Sequence, residues 1–225
     1  MNLTMLLFDD VTILDFIGPY QVFSKIKNWK LSFVSWNQES IVCEGGLQIS
    51  GLRSIKEIKE SDLLFVPGGT GINAILTNPD YLKEIKRVGE NSKYITSVCT
   101  GSLVLGAAGL LTGYKASSHW RSLHFLERFG AIPCEDRVVI DRNRITGGGI
   151  TAGIDFGLKL VQWTLGDERA KELELWLEYN PEPPFGTGHP RLAETKLLEK
   201  TLEDTQAAIN LREEIIQKIV PWKKE

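Results

Sequence analysis

Cysteine is scarce in this chain: three residues in 225, at positions 43, 99 and 134. An odd count, wide spacing and the lack of a Cys-x-x-Cys pair argue against a disulfide framework. The three histidines, His119, His124 and His189, have no ligand-like spacing with the cysteines, so no structural zinc site is expected, and no metal or organic cofactor is implied. Long apolar runs are missing too; none approaches the ~20 residues that span a bilayer. Met1-Asn2-Leu3-Thr4 leads straight into strand-like sequence, without the basic and apolar regions of a signal peptide. A cytoplasmic protein with no membrane association is therefore expected. Positive charge is not in excess: 26 Lys and Arg stand against 29 Asp and Glu, for a net −3. That balance offers no basic face for nucleic acid. No internal repeat is visible, and only Pro181-Glu182-Pro183-Pro184 has linker character.

What is present is an alternation of short apolar runs and longer amphipathic stretches. Residues 3–8, 31–36, 62–67, 94–98 and 138–140 read as strands. Helical patterns cover 14–25, 71–89, 101–111, 150–179 with a break at Gly166-Asp167, and 192–219. Strands alternating with helices predict an α/β fold: a flavodoxin-like sandwich, its mostly parallel sheet covered by helices on both faces. Residues 1–180 are expected to form the α/β domain. Residues 181–225 are read as a loop and a charged amphipathic helix packed on that domain or on a dimer partner.

Three segments carry chemistry. In Ile95-Thr96-Ser97-Val98-Cys99-Thr100-Gly101-Ser102 an apolar strand runs directly into a cysteine, and a helix rich in small residues follows. Such a nucleophile elbow exposes Cys99 at the carboxyl edge of the sheet, where open α/β sheets bind ligands. It also sets the sulfur beside a helix N-terminus, which favours the nucleophilic thiolate. Cys43 and Cys134 lack that setting and read as structural; Cys134 has Glu135 and Asp136 beside it. The second segment places Asp15 among apolar residues shortly after the first strand. A buried acid is costly unless it is paired or shifts its pKa. The third, Pro67-Gly68-Gly69-Thr70-Gly71, is a strand-to-helix turn without the ending of a phosphate loop. The backbone N–H groups of Gly69 and Thr70 are read as orienting a ligand near the sulfur. Gly147-Gly148-Gly149-Ile150-Thr151 is a similar turn. His119 and His124, beside Trp120, read as structural, and Trp29, Trp36, Trp163, Trp176 and Trp222 as core or interface residues.

Together these motifs resemble the DJ-1/PfpI superfamily over residues 3 to about 180, most closely its isocyanide hydratases. The segments 14–19, 67–71, 96–111, His119-Trp120 and 146–156 carry the resemblance, and Leu177-Glu178-Tyr179 with Pro183-Pro184-Phe185 extends it. Thr100 stands where the peptidases and glyoxalases of the superfamily have a histidine after the cysteine. Asp15 is shorter than the glutamate typical of DJ-1 itself. Both departures point to the hydratases. The resemblance implies a lyase and a small-molecule isocyanide as substrate. Cys99 attacks the isocyanide carbon, Asp15 relays protons, and water releases an N-substituted formamide. It implies roles for Thr100, Gly69 and Thr70 in orienting substrate or sulfur, a packing role for Ile150 near the nucleophile helix, and a homodimer. Two other readings share these motifs. One is a non-catalytic ligand or redox sensor, like the amino-terminal domain of AraC-type regulators; the other is a different cysteine-dependent enzyme, such as a glyoxalase or deglycase. The regulators need about a hundred further residues for DNA binding, whereas 45 follow Asn180 here.

Overall fold

A computed structural model describes residues 1–37 and 39–220; the sequence expectation for Trp222 lies outside the described residues. The strands are β1 (Asn2–Leu6), β2 (Lys30–Ser35), β3 (Ser40–Val42), β4 (Gln48–Ser50), β5 (Arg53–Ser54), β6 (Leu63–Val66), β7 (Tyr94–Val98), β8 (Lys115–Ala116), β9 (Ile132–Pro133), β10 (Val138–Asp141) and β11 (Arg144–Gly147). The α-helices are α1 (Ile13–Phe23), α2 (Ile72–Leu76), α3 (Pro79–Glu90), α4 (Gly101–Ala107), α5 (Ala152–Leu165), α6 (Asp167–Trp176) and α7 (Thr195–Ile219).

Seven strands form the main sheet in the order β10-β11-β7-β6-β1-β2-β5. All its pairings are parallel except that of β10 with β11. The run β2-β1-β6-β7-β11 is the flavodoxin-like order, and its direction of winding reverses at β1. Loops leaving β1 and β6 therefore diverge at the carboxyl ends of the strands, where open α/β sheets bind ligands. β1 and β6 read as continuous apolar runs because both of their faces are covered: Leu3, Met5, Leu6, Leu63, Leu64, Phe65 and Val66 are all buried. Helix α5 packs against both α1 and α6, while α2, α3 and α4 form a second group that α7 joins through α2.

Several boundaries differ from the sequence expectation, for local reasons. The single helix expected over 71–89 is two, because Asn78 caps α3 by accepting from the Tyr81 N–H and Pro79 occupies its first position. The helix after Cys99 ends at Ala107, four residues early, and the chain turns at Gly109 with φ +76°. The expected break at Gly166 is present, with φ +91°. The β3–β4 hairpin and strand β11 were not separated by the sequence pattern; β11 is short and runs into three glycines. Trp29 joins the core, Trp36 stacks on Tyr81 with ring centroids 4.9 Å apart, and Trp163 and Trp176 are exposed.

Helix α7 follows amphipathic logic. Ile209, Arg212 and Ile216 are its buried residues and share one face at helical spacing. It packs on α2 and on the 3-10 turns of Leu123–Phe129. Arg121 anchors it further, donating to Thr205 Oγ1 (3.0 Å), Gln206 Oε1 (3.1 Å) and the Leu202 carbonyl (3.3 Å).

Candidate functional site

Cys99 sits at the end of β7, in the central part of the sheet, with φ +57°. A left-handed conformation at a non-glycine residue costs on the order of 1–2 kcal/mol and persists only where surrounding bonds hold it. Here they do. The Cys99 N–H is shared between the carbonyls of Gly147 (3.0 Å) and Gly148 (2.8 Å), and its carbonyl accepts from the hydroxyls of Ser102 and Ser118, each at 3.1 Å. The turn redirects the chain into α4 and leaves the side chain 5% exposed.

Asp15 reaches the same place from the opposite side of the switch point. It lies in the first turn of α1, with no exposed surface. Helix α1 is held against α5 at glycines: a Cβ at Gly153 would stand 3.0 Å from Pro19 Cδ, and one at Gly157 3.0 Å from Val22 Cγ2. The Thr12 N–H donates to the Gly68 carbonyl (3.0 Å), and the Gly68 N–H donates to Asp15 Oδ2 (2.9 Å). Asp15 Oδ1 has no partner of hydrogen-bonding geometry, although the carboxyl and the Cys99 thiol interact. Gly68 is where the pieces meet. A Cβ there would stand 2.6 Å from Thr100 N, 2.7 Å from Thr100 Oγ1 and 2.8 Å from Asp15 Oδ2. Only glycine lets the carboxyl and the backbone after the nucleophile approach so closely.

Burial dominates the electrostatics. It raises the Asp15 carboxyl from its ordinary 3.8 to about 7, against the lowering effects of the Gly68 N–H and the Cys99 thiol; the Glu44 charge adds to the rise. Burial and the Asp15 charge hold the Cys99 thiol well above its ordinary value, with Thr100 opposing through its backbone and side chain. The sequence expectation of a thiolate favoured by the following helix is reversed in the resting site. Helix α4 is only seven residues long, and desolvation outweighs it. Near neutral pH the thiol therefore keeps its proton and the Asp15 carboxyl is the group that changes charge.

The other expected site residues fall nearby, but not all in the expected roles. The Gly69 N–H donates to Thr100 Oγ1 (3.1 Å), and the Thr70 N–H to Glu44 Oε1 (3.0 Å). These two amides, read from the sequence as free to orient a ligand, are already engaged within the protein. They fix Thr100 and Glu44 instead. Glu44 also accepts from the Thr70 hydroxyl (3.2 Å) and the Thr12 hydroxyl (2.8 Å), so it ties the Pro-Gly-Gly turn to the start of α1. Ile150, just before α5, is 40% exposed. His119 lies in the loop ahead of the 3-10 turns, against Gly149, and its Nδ1 accepts from the Arg121 N–H (3.3 Å). Burial, with Arg212 and Arg121 nearby, lowers it to about 4, so it is neutral at pH 7. Cys43 is buried, and the Cys134 thiol donates to Asp136 Oδ2 (3.2 Å). Among the described residues no group of three or more His, Cys, Asp or Glu is arranged to hold a metal ion, and no helix is long and apolar enough to cross a membrane. Sequence reasoning missed Glu44 and Arg212. The first is in a surface-like turn; the second is one basic residue among many in a charged helix, and only the spacing of Ile209 and Ile216 around it signals a buried face.

The cysteine elbow, the acid after β1 and the Pro-Gly-Gly turn thus meet at the carboxyl ends of β1, β6 and β7, and residues 1–163 match the family model for the DJ-1/PfpI family. The chain belongs to the DJ-1/PfpI family. Within it, the chain is 39% identical over 218 residues to the isonitrile hydratase of Pseudomonas putida, covering 97% of this chain and 96% of that protein. A THiJ/PfpI family protein from Pseudomonas syringae superposes with a TM-score of 0.92 at 38% identity, over 96% of this chain and 90% of that one. The HTH-type transcriptional regulator GbdR of Pseudomonas aeruginosa is 28% identical over 90% of this chain, which spans 61% of the regulator.

Proposed function

We propose that this DJ-1/PfpI member is an isocyanide hydratase that adds water to R–N≡C to give an N-substituted formamide. The observation that carries the reading is the buried pair of Cys99 and Asp15, with the carboxyl raised to about 7 and one of its oxygens unpartnered. Similarity to an isonitrile hydratase along almost the whole of both chains supports the same reading.

The geometry suits the chemistry as follows. Asp15 takes the Cys99 thiol proton, and the thiolate attacks the terminal isocyanide carbon. That carbon gains carbanion character and is protonated by Asp15, leaving a covalent thioimidate on Cys99. Asp15, again a carboxylate, accepts a proton from an attacking water and passes it to nitrogen; as the C–S bond of the tetrahedral adduct breaks, Asp15 takes the hydroxyl proton and passes it to the departing sulfur, which frees the formamide and restores the thiol. A carboxyl with a pKa near the working pH serves equally as base and acid. Thr100, fixed by the Gly69 N–H, holds the sulfur, and Ile150 supplies apolar surface for the substituent R. Neither half of the cycle changes the net charge of the site, which suits a buried, desolvated pair.

The regulator-like sensor reading has less support, since the chain is 28% identical to GbdR against 39% to the hydratase. The test is formamide production from a simple aryl isocyanide by the purified chain, beside folded Cys99→Ala and Asp15→Ala variants. Turnover lost in the first and cut by on the order of 10²-fold or more in the second supports the mechanism. A wild type inert across several isocyanides, with Cys99 still open to thiol reagents, overturns it.

A further inference from the structure

The β3–β4 hairpin takes no part in the steps above and forms a two-stranded sheet of its own, apart from the main one. It nevertheless lies along the loop that leads from β1 to α1. The Asp10 N–H donates to the Val42 carbonyl (2.8 Å), the Val42 N–H to Asp9 Oδ1 (2.8 Å), and the Glu44 N–H to the Val11 carbonyl (3.1 Å). Glu44 stands at the hairpin turn, half-buried, and none of the ion pairs among the described residues includes it. Its carboxylate accepts three hydrogen bonds instead. The Thr12 hydroxyl donates to Oε2 (2.8 Å), and the Thr70 N–H (3.0 Å) and hydroxyl (3.2 Å) donate to Oε1. Thr12 in turn holds the Gly68 carbonyl through its N–H (3.0 Å), and Gly68 and Gly69 precede Thr70 in the chain. A ring closes: Glu44, Thr12, Gly68, Gly69, Thr70 and back to Glu44. The two glycine amides within it are those that donate to Asp15 Oδ2 (2.9 Å) and Thr100 Oγ1 (3.1 Å).

We propose that Glu44 is a positioning residue for the proton relay: by closing this ring it fixes the Gly68 and Gly69 amides, and through them the placement of the Asp15 carboxyl and the Thr100 hydroxyl beside Cys99. The proposal rests on the Cys99–Asp15 pair described above and makes the β3–β4 hairpin part of the site. Two adjacent glycines lose more conformational freedom on being held than any other pair, and they have no side chains with which to hold themselves. Gly69 also stands at φ +132°. Hydrogen bonds to a carboxylate are about twice as strong as neutral ones, so a single Glu anchoring both ends of the turn stiffens it where the relay needs precision. A misplacement of about 1 Å in a reacting group costs on the order of 10²-fold in rate.

The test reads the amides directly, by ¹H–¹⁵N NMR of the full chain, of Glu44→Gln and of Glu44→Ala. The Gly68 N–H donates to Asp15, so its chemical shift follows the ionisation of that carboxyl between pH 5 and 9. Gln keeps the ring, its oxygen accepting from the Thr70 N–H and its NH₂ donating to the Thr12 hydroxyl, whereas Ala opens it. The titratable groups that act on Asp15 are Cys99, from the end of β7, and Glu44 itself. Both variants remove the Glu44 charge, so the difference between them reports the ring alone. The Gly68 bond lowers the proton affinity of Asp15; the Ala midpoint is therefore expected about half a unit above the Gln midpoint. The Gly68 and Gly69 amides should exchange with solvent about tenfold faster in the Ala variant than in the Gln variant. In hydration of an isocyanide, Ala should lower kcat about tenfold with KM within about twofold, and Gln should restore kcat to within about threefold of the parent. If Glu44→Ala releases the hairpin, Thr12→Val decides, since it opens the ring without touching β3 or β4; its midpoint should rise above that of the parent. Equal midpoints and equal exchange in the Gln and Ala variants, or a Thr12→Val chain that titrates like the parent, overturn the proposal. A chain that hydrates no isocyanide leaves the amide readouts untouched, so the two ideas fail separately.

Discussion

Replacing Asp15 by Asn separates the acid's chemical role from its structural cost. The fully buried carboxyl titrates near 7 in the folded chain, against an ordinary value of 3.8. Between those values the folded state binds the proton more tightly than the unfolded state does, so the contribution of Asp15 to stability falls as pH rises. It is fully favourable below about 4 and exhausted once pH passes about 7. At 1.36 kcal/mol per pKa unit, ionising Asp15 costs the fold about 2–3 kcal/mol more at pH 8 than at pH 5. Asn keeps the acceptor for the Gly68 N–H and cannot ionise. The stability of Asp15→Asn relative to the parent should therefore improve by that amount between pH 5 and pH 8, or by roughly 5–10 °C in melting temperature for a chain of this size. Paired denaturant titrations at pH 5, 6, 7 and 8 measure it, while hydration activity is lost at every pH. A difference that is flat with pH, or that moves against the variant, would refute the assignment of a raised pKa to burial.

Two further outcomes test the geometry around the sulfur. Gly68→Ala puts a methyl group within 2.6–2.8 Å of Thr100 N, Thr100 Oγ1 and Asp15 Oδ2; it is expected to cost about 1–3 kcal/mol in chemical denaturation and to lower kcat far more than a distant surface substitution of equal stability cost. Cys99→Gly and Cys99→Ala both remove the nucleophile, but only glycine accepts φ +57° without strain. The glycine variant should be the more stable by about 1 kcal/mol in the same assay, and equal stability would mean that the turn relaxes when the thiol is gone.

Sequence legibility followed physical locality. Strand β7 and the elbow after it were readable because an apolar run, a cysteine and a helix of small residues are contiguous; the expected strand 94–98 has the observed bounds. The parallel α/β class followed from short apolar strands alternating with helical stretches along the chain, a pattern that needs no partner information to recognise. Asp15 was legible as an acid in apolar company, a local contradiction that only function or pairing resolves. The helix over 71–89 was misjudged because a single Asn-Pro cap interrupts a pattern that hydrophobic periodicity alone runs through.

What tertiary structure alone decided is everything that depends on residues distant in sequence. That Asp15 and Cys99 meet depends on β1 and β7 flanking β6 and on a glycine at 68 that permits the approach. The Gly69 and Thr70 amides looked available in one dimension and are consumed by Thr100 and Glu44, 31 and 26 residues away. The sulfur's proton affinity follows the same rule: a short motif suggested a helix terminus that would draw the proton off, but burial set by the whole fold keeps it on. Arg212 of α7 reaches Asn73 of α2, 139 positions earlier in the chain, only because α7 folds back on α2. Side-chain identity and local periodicity are written along the chain, whereas desolvation and charge proximity are properties of the packed molecule.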